Sequence, residues 1–148
     1  MIRTAQIQDI PDILQVIHAS IRSCVLDHQH QESQIQICLE HISQENLLLW
    51  LLYNDSWVHV INGYILGFIL VNDQGKILLH YVSPDSQQQG IGKSLLFHVI
   101  AHAQQQKRRK ITLDSTQTAL AFYQKYGFET RQRGISNKTL IALVNYLA

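Results

Sequence analysis

The segment from Tyr81 to Leu96, YVSPDSQQQGIGKSLL, constrains this chain more than any other. A β-prone stretch stops at Pro84, which has no N–H with which to continue a ladder. Gly90 and Gly92 then open a run whose apolar residues, Ile91, Leu95, Leu96, Val99, Ile100 and Ala103, recur at helical spacing to about Gln106. The first turn of such a helix carries backbone N–H groups without an intrahelical partner. Those donors and the helix dipole favour an anion. Glycine at 90 and 92 removes side chains where a phosphate would approach the backbone.

Composition sharpens that reading. The 148-residue chain has a formal net charge of only +1, so any acidic ligand must be held by local geometry and not by a basic field. For the same reason nothing points to a nucleic-acid partner. With 46% apolar and 16% charged residues the chain can bury a core, and its length suits one domain, residues 1–148. Cys24 and Cys38 are too few for a disulfide scaffold, and reduced thiols in a cytoplasmic protein are expected. The N-terminus lacks the apolar run and small-residue cleavage site of a signal peptide. The most apolar stretch, Val58 to Val71, is broken by Asn62-Gly63 and falls short of the roughly 20 residues a bilayer requires, so no membrane role is expected.

Around the central segment the pattern is that of an α+β domain. Ile2 to Gln6 reads as a strand, and Asp9 caps a helix from Ile10 with Ile13, Leu14, Ile17 and Ile21 on one face. A second helical region, Ser33 to Tyr53, breaks near Ser43; its run Leu47 to Leu52 is expected in the core. Trp57–Ile61, Tyr64–Val71 and Lys76–Val82 form an antiparallel meander through turns at Asn62-Gly63 and Asn72–Gly75. Past the central helix come the basic run Lys107–Lys110, expected at a solvated helix end, a strand Ile111–Asp114, and a helix between Thr116 and Tyr126 closed by Gly127. Phe128–Arg131 and Thr139–Leu147 are the last two expected strands.

Two specific readings of the glycine segment compete. Gln87 to Ser94 approaches the Gly-x-x-x-x-Gly-Lys-Ser phosphate loop, with Ile111–Asp114 as its metal-binding strand. But Gln87 stands where the leading glycine is needed, and antiparallel hairpins before the loop do not suit a mainly parallel hydrolase sheet. The alternative rests on two motifs. Val82-Ser83-Pro84 is followed by Gln87-Gln88-Gln89-Gly90-Ile91-Gly92 and then Leu95-Leu96. Downstream lies Ala119-Leu120-Ala121-Phe122-Tyr123-Gln124-Lys125-Tyr126-Gly127-Phe128. In that order they resemble the Gcn5-related N-acetyltransferase (GNAT) family, which carries Gln/Arg-x-x-Gly-x-Gly/Ala after a strand ending in Val-x-Pro, then small-x-x-aromatic-Tyr-x-Lys-x-Gly-Phe. The resemblance covers about Lys76 to Phe128 and is greatest to small bacterial members.

The resemblance implies a mixed, mostly antiparallel sheet of about seven strands flanked by about four helices, splayed open beside Val82. It implies acetyl-coenzyme A in the cleft as cosubstrate. The pyrophosphate would rest on the backbone of Gln87, Gln88, Gln89, Gly90, Ile91, Gly92, Lys93 and Ser94, and the pantetheine arm along Tyr81-Val82. An amine would attack the thioester directly. An alkylamine, with a pKa of about 10.4, must first lose a proton, the oxyanion needs a donor near Tyr81, and the thiolate needs a proton or hydrogen bond. Tyr123 holds the family's tyrosine position and is the candidate acid. His80, near the splay, is a candidate base at a position the family usually keeps apolar. His28, His30 and Glu32 lie where the family shapes its acceptor site. The chemistry requires no metal. The acceptor stays open among small amines and peptide or protein amines, a coenzyme-binding sensor without turnover is the alternative, and a homodimer is the base-rate assembly.

Overall fold

The structure, a computed structural model, describes residues 1–23, 40–131 and 140–147. Cys24, Cys38, His28, His30 and Glu32 lie outside the described residues. Seven strands form one sheet: β1 (Ile2–Thr4), β2 (Asp55–Ile61), β3 (Tyr64–Val71), β4 (Lys76–Val82), β5 (Lys110–Ser115), β6 (Glu129–Thr130) and β7 (Ile141–Tyr146). Four α-helices flank it among the described residues: α1 (Ile10–Ser23), α2 (Gln44–Tyr53), α3 (Ile91–Gln105) and α4 (Leu120–Lys125). No helix among the described residues is long and apolar enough to cross a membrane.

The strand order is β1-β2-β3-β4-β5-β7-β6, and every neighbouring pair is antiparallel except β4 with β5. A single parallel pair is not the mainly parallel sheet of a P-loop hydrolase. Asp114, the candidate metal residue of that reading, forms an exposed ion pair with Lys76 at 2.9 Å. The hairpin between β2 and β3 turns on Asn62 and Gly63 at φ 53° and 81°, the double positive φ that an Asn-Gly turn supplies.

β3 explains why the most apolar stretch is so apolar. It lies mid-sheet with both faces covered, so its side chains feed two cores. Ile69 and Val71 join α3, α4 and Phe128 on one face. Phe68 and Leu70 meet α1 and α2 on the other, with Ile13, Ile17 and Leu47 fully buried there. The entry to α1 is fixed by Asp9, whose carboxylate takes two bonds from Arg3 (2.8 and 3.0 Å) and one from the Gln6 N–H (2.8 Å). The Arg3 hydrogen bonds hold the Asp9 carboxyl below its usual range. Ser43 caps α2 by accepting from the Asn46 N–H at 3.1 Å, which is the expected helix break.

The run Leu47 to Leu52 meets the core expectation in part. Leu47 is buried and Leu48, Trp50 and Leu51 pack half-buried against the α1-side core, while Leu49 and Leu52 are 52% and 58% exposed. A helix apolar on all sides gives no periodicity from which to read its inward face. The basic run also finds its place. Arg108 bonds the Gln106 side chain and the Asp73 carbonyl just past the α3 C-terminus. That end is about 22 Å from the glycine end of the 15-residue helix, too far to serve a ligand there.

Gly67 lets α3 lie against β3. A Cβ there would fall 2.7 Å from Ile91 Cγ2 and 2.9 Å from Leu95 Cδ1. Gly67→Ala is therefore expected to lower stability by about 1–3 kcal/mol, the usual cost of overpacking a core. Urea unfolding with an unchanged midpoint would show instead that α3 can shift freely.

Candidate active site

β4 and β5 pair only at Lys76↔Thr112 and Ile77↔Leu113, at the start of β4. Beyond Ile77 the two strands part, and a wedge opens along the second half of β4. What faces that wedge is decided by an irregularity in β4. Val71 lies opposite Ile77 but Leu70 lies opposite Leu79, so Leu78 is an extra residue, a β-bulge. The bulge resets the alternation of the strand. Ile77 faces the α3 core, and without the bulge so would Leu79; instead Leu79 and Tyr81 pack on the α1 side, and Val82 joins the α3 core. His80 thereby also falls on the α3 side, where its ring lies beside Phe122 and Tyr123.

The same reset assigns the backbone. The Ser83 N–H donates to the Leu66 carbonyl at 2.8 Å, and Tyr81 and Leu79 lie opposite Phe68 and Leu70 in the same register. Odd-numbered residues from 79 to 83 therefore spend their backbone groups on β3. In an antiparallel ladder the intervening residues point theirs the other way. The N–H groups of His80 and Val82 thus face the wedge, one residue to either side of the Tyr81 position expected from sequence.

At the mouth of the wedge the chain turns through a 3-10 segment, Pro84–Ser86, and then Gln87 to Gly90. Gln88 and Gly90 have φ of 67° and 82°, and Gly90 is the N-cap of α3. No side chain caps α3, and its first intrahelical bond runs from Ser94 N–H to Gly90 O at 2.9 Å. The N–H groups of Ile91, Gly92 and Lys93 are left to point out of the helix end. The two glycines differ in purpose. A Cβ at Gly90 would meet nothing within 4 Å, so what glycine supplies there is the left-handed backbone. A Cβ at Gly92 would stand 3.3 Å from Val82 Cγ2 and 3.7 Å from His80 Nε2, so glycine there brings the helix close to β4.

That approach brings three elements together on one imidazole. His80 Nε2 lies 3.1 Å from the Gly92 carbonyl oxygen, and His80 Nδ1 lies 2.8 Å from the Tyr123 hydroxyl. A carbonyl can only accept, so Nε2 carries the proton and donates it. Nδ1 is then an acceptor, and the Tyr123 hydroxyl donates to it. Burial lowers the His80 pKa to about 4 against a smaller opposing effect of the Gly92 bond, so the ring is neutral at neutral pH. Burial likewise raises the Tyr123 phenol well above its ordinary value. Tyr123 is 7% exposed and joins the α3-side core, with Phe122, Phe128 and His80 edge-on or tilted around it.

Of the sequence-expected residues, Val82, Gly92, His80 and Tyr123 meet at one place, Gln87 to Gly90 form the turn that leads into α3, and Tyr81 turns its side chain to the α1 side. What sequence reasoning missed is Gly92 as a carbonyl partner of His80, since backbone acceptors leave no mark on residue identity. Among the described residues no group of three or more His, Cys, Asp or Glu is placed to hold a metal ion.

Comparison with known proteins bears on this arrangement. Residues 26–145 match the family described as the acetyltransferase (GNAT) domain. A peptidyl-lysine N-acetyltransferase of Escherichia coli K12, YiaC, is 27% identical over 132 residues, covering 86% of this chain and 82% of that one. An uncharacterized N-acetyltransferase of the same organism, YafP, is 26% identical over 62% of this chain; the match spans 64% of its own length. In fold, a GCN5-related N-acetyltransferase of Rhodopseudomonas palustris superposes with a TM-score of 0.90 at 20% identity, covering 99% of this chain and 95% of that one. The PaiA N-acetyltransferase of Thermoplasma acidophilum, solved in complex with coenzyme A, gives 0.89 at 19% identity, covering 99% and 98%.

A histidine whose folded pKa lies below its unfolded value binds fewer protons folded than unfolded between the two. Its stabilising effect is present above the unfolded value and is lost as pH falls towards the folded one. Acidifying from 6.5 to about 4 should therefore destabilise the protein through His80. Melting temperatures of wild type and His80→Asn across that range should converge as pH falls. Parallel curves would show that His80 titrates as it does in the unfolded chain.

Proposed function

The chain belongs to the GNAT acetyltransferase family, and from that premise we propose that it moves the acetyl group of acetyl-coenzyme A to an amine by direct attack in a ternary complex. The observation that carries the proposal is the wedge between β4 and β5, set beside an uncapped helix N-terminus. The coenzyme pyrophosphate fits the free N–H groups of Ile91, Gly92 and Lys93, where dipole and donors favour an anion without a basic field. The pantetheine arm fits the side of β4 turned away from β3, where the N–H groups of His80 and Val82 face the wedge beyond the two residue pairs made with β5. The coenzyme-bound state of the Thermoplasma acidophilum neighbour supports this placement by analogy.

In this reading the wedge-facing N–H groups of His80 and Val82 supply the oxyanion donor, and Tyr123 serves the departing thiolate. The acceptor is a primary amine of a small molecule or peptide. The name of the Escherichia coli relative, a peptidyl-lysine N-acetyltransferase, supports that class. The proposal takes the chain as one catalytic domain in a cytoplasmic setting, in keeping with only two cysteines.

Calorimetric titration with acetyl-coenzyme A, coenzyme A and ATP tests the site, and thiol release with a panel of amines tests the reaction. Saturable binding of both coenzymes but not ATP is expected. Binding without thiol release for any amine would leave a coenzyme sensor in place of an enzyme. Gly90→Asp should fold, since Asp tolerates positive φ better than most residues, and should bind acetyl-coenzyme A at least about tenfold more weakly by setting a negative charge beside the pyrophosphate. Tyr123→Phe should slow acetyl transfer by about a hundredfold or more, the usual scale of general acid catalysis, with coenzyme affinity nearly unchanged. Equal turnover in wild type and Tyr123→Phe would remove the acid role.

A further inference from the structure

The hydrogen bonds of His80 specify more than a buried side chain. Gly92 O takes the Nε2 proton, and the only lone pair on the ring, at Nδ1, receives the Tyr123 hydroxyl. Neither ring nitrogen is left to touch an amine. The tyrosine proton, in turn, points at His80. A lone Tyr123 would have to become a tyrosinate to protonate a thiolate, whereas a proton returned from Nδ1 restores the phenol.

We propose that His80 is a positioning residue that works through Tyr123, holding the tyrosine proton while the hydroxyl oxygen takes one from the amine, and handing it back when the thiolate leaves. The inference rests on the acetyl-transfer reading above. As the amine nitrogen bonds the acetyl carbon, the carbonyl π pair moves to oxygen. One amine proton passes to the Tyr123 oxygen, and the hydroxyl proton passes to His80 Nδ1. The oxyanion then collapses and the C–S bond breaks, its electron pair going to sulfur. Tyr123 gives its proton to sulfur and recovers one from Nδ1. Amine and thioester have become amide and thiol, and both side chains end as they began. Gly92 does for this ring what the buried carboxylate does in a Ser-His-Asp triad: it fixes the tautomer, and its carbonyl steadies the transient imidazolium. The bond also ties the relay to the helix turn that carries the proposed pyrophosphate donors.

Two measurements decide this. Nitrogen-15 NMR of the wild-type histidines should show His80 as the neutral Nε2–H tautomer at pH 7; an Nδ1–H tautomer would overturn the relay whatever the enzyme's activity. Kinetics then use His80→Asn, whose amide oxygen sits near the place of Nδ1 and can still accept the Tyr123 hydroxyl but cannot take a proton. Its kcat should fall at least about tenfold with little change in KM for acetyl-coenzyme A, and His80→Asn in a Tyr123→Phe background should cost nothing further, because residues acting as a unit are not additive. Full kcat in His80→Asn, or losses that multiply in the double variant, would overturn the inference. A wild type that turns over no amine overturns the acetyl-transfer reading and the relay with it, and the NMR result then says separately whether the imidazole–phenol pair exists as described.

Discussion

Two residue pairs, Lys76↔Thr112 and Ile77↔Leu113, join β4 to β5, and the architecture follows from their being so few. A longer parallel ladder would close the sheet and leave only its two outer edges. Parting after Ile77 leaves half of β4 with backbone donors and acceptors on one side and no strand to receive them. Such groups must find water or a ligand. The parting is sustained by what fills the space on either side. Gly67 lets α3 press on β3, and Gly92 lets the same helix press on β4, so the helix starts at the open end of the wedge and not over the closed end. An extended ligand beside the strand and an anion at the helix end can then be held at once.

The sequence shows some of this plainly and hides the rest for physical reasons. β3 and β4 begin and end at the expected residues because Asn62-Gly63 and the Asn72–Gly75 turn bound them with unambiguous chemistry. α3 agrees to within a residue at its end because its apolar face is periodic. The terminal strands are shorter than their residues suggest: β1 stops at Thr4, and β6 is only Glu129–Thr130. Strand propensity cannot say how much of a β-prone stretch finds a partner. α4 starts at Leu120, later than the expected Thr116, because Thr116 turns its hydroxyl to accept from the Ala119 N–H at 3.2 Å instead of entering the helix.

The candidate site divides the same way. Gln87 to Ser94 was legible because turn residues and helix period change sharply there. Tyr123 was legible only through a motif; its spacing alone equally suits a core aromatic, and in burial it is one. The pairing of His80 with Tyr123 was not legible at all. The two residues are 43 apart and on different elements, and their meeting depends on how α3 and α4 pack over the sheet.

The bulge at Leu78 has a consequence for how such a chain can change over time. Substitutions along β4 alter one side chain each. Losing Leu78, the residue of β4 with no partner on β3, would turn the bulge into a regular ladder: Leu79 would follow Ile77 directly, and Leu79, His80, Tyr81 and Val82 would keep the faces they now have. Like the hairpin loop before the strand, this position can shed a residue locally. The register of the strand's second half is held by the pairing of Leu79 to Val82 with β3 and not by the chemistry of Leu78, which is 43% exposed. Drift should therefore be free at that residue's identity, and its loss would straighten the strand without turning it over.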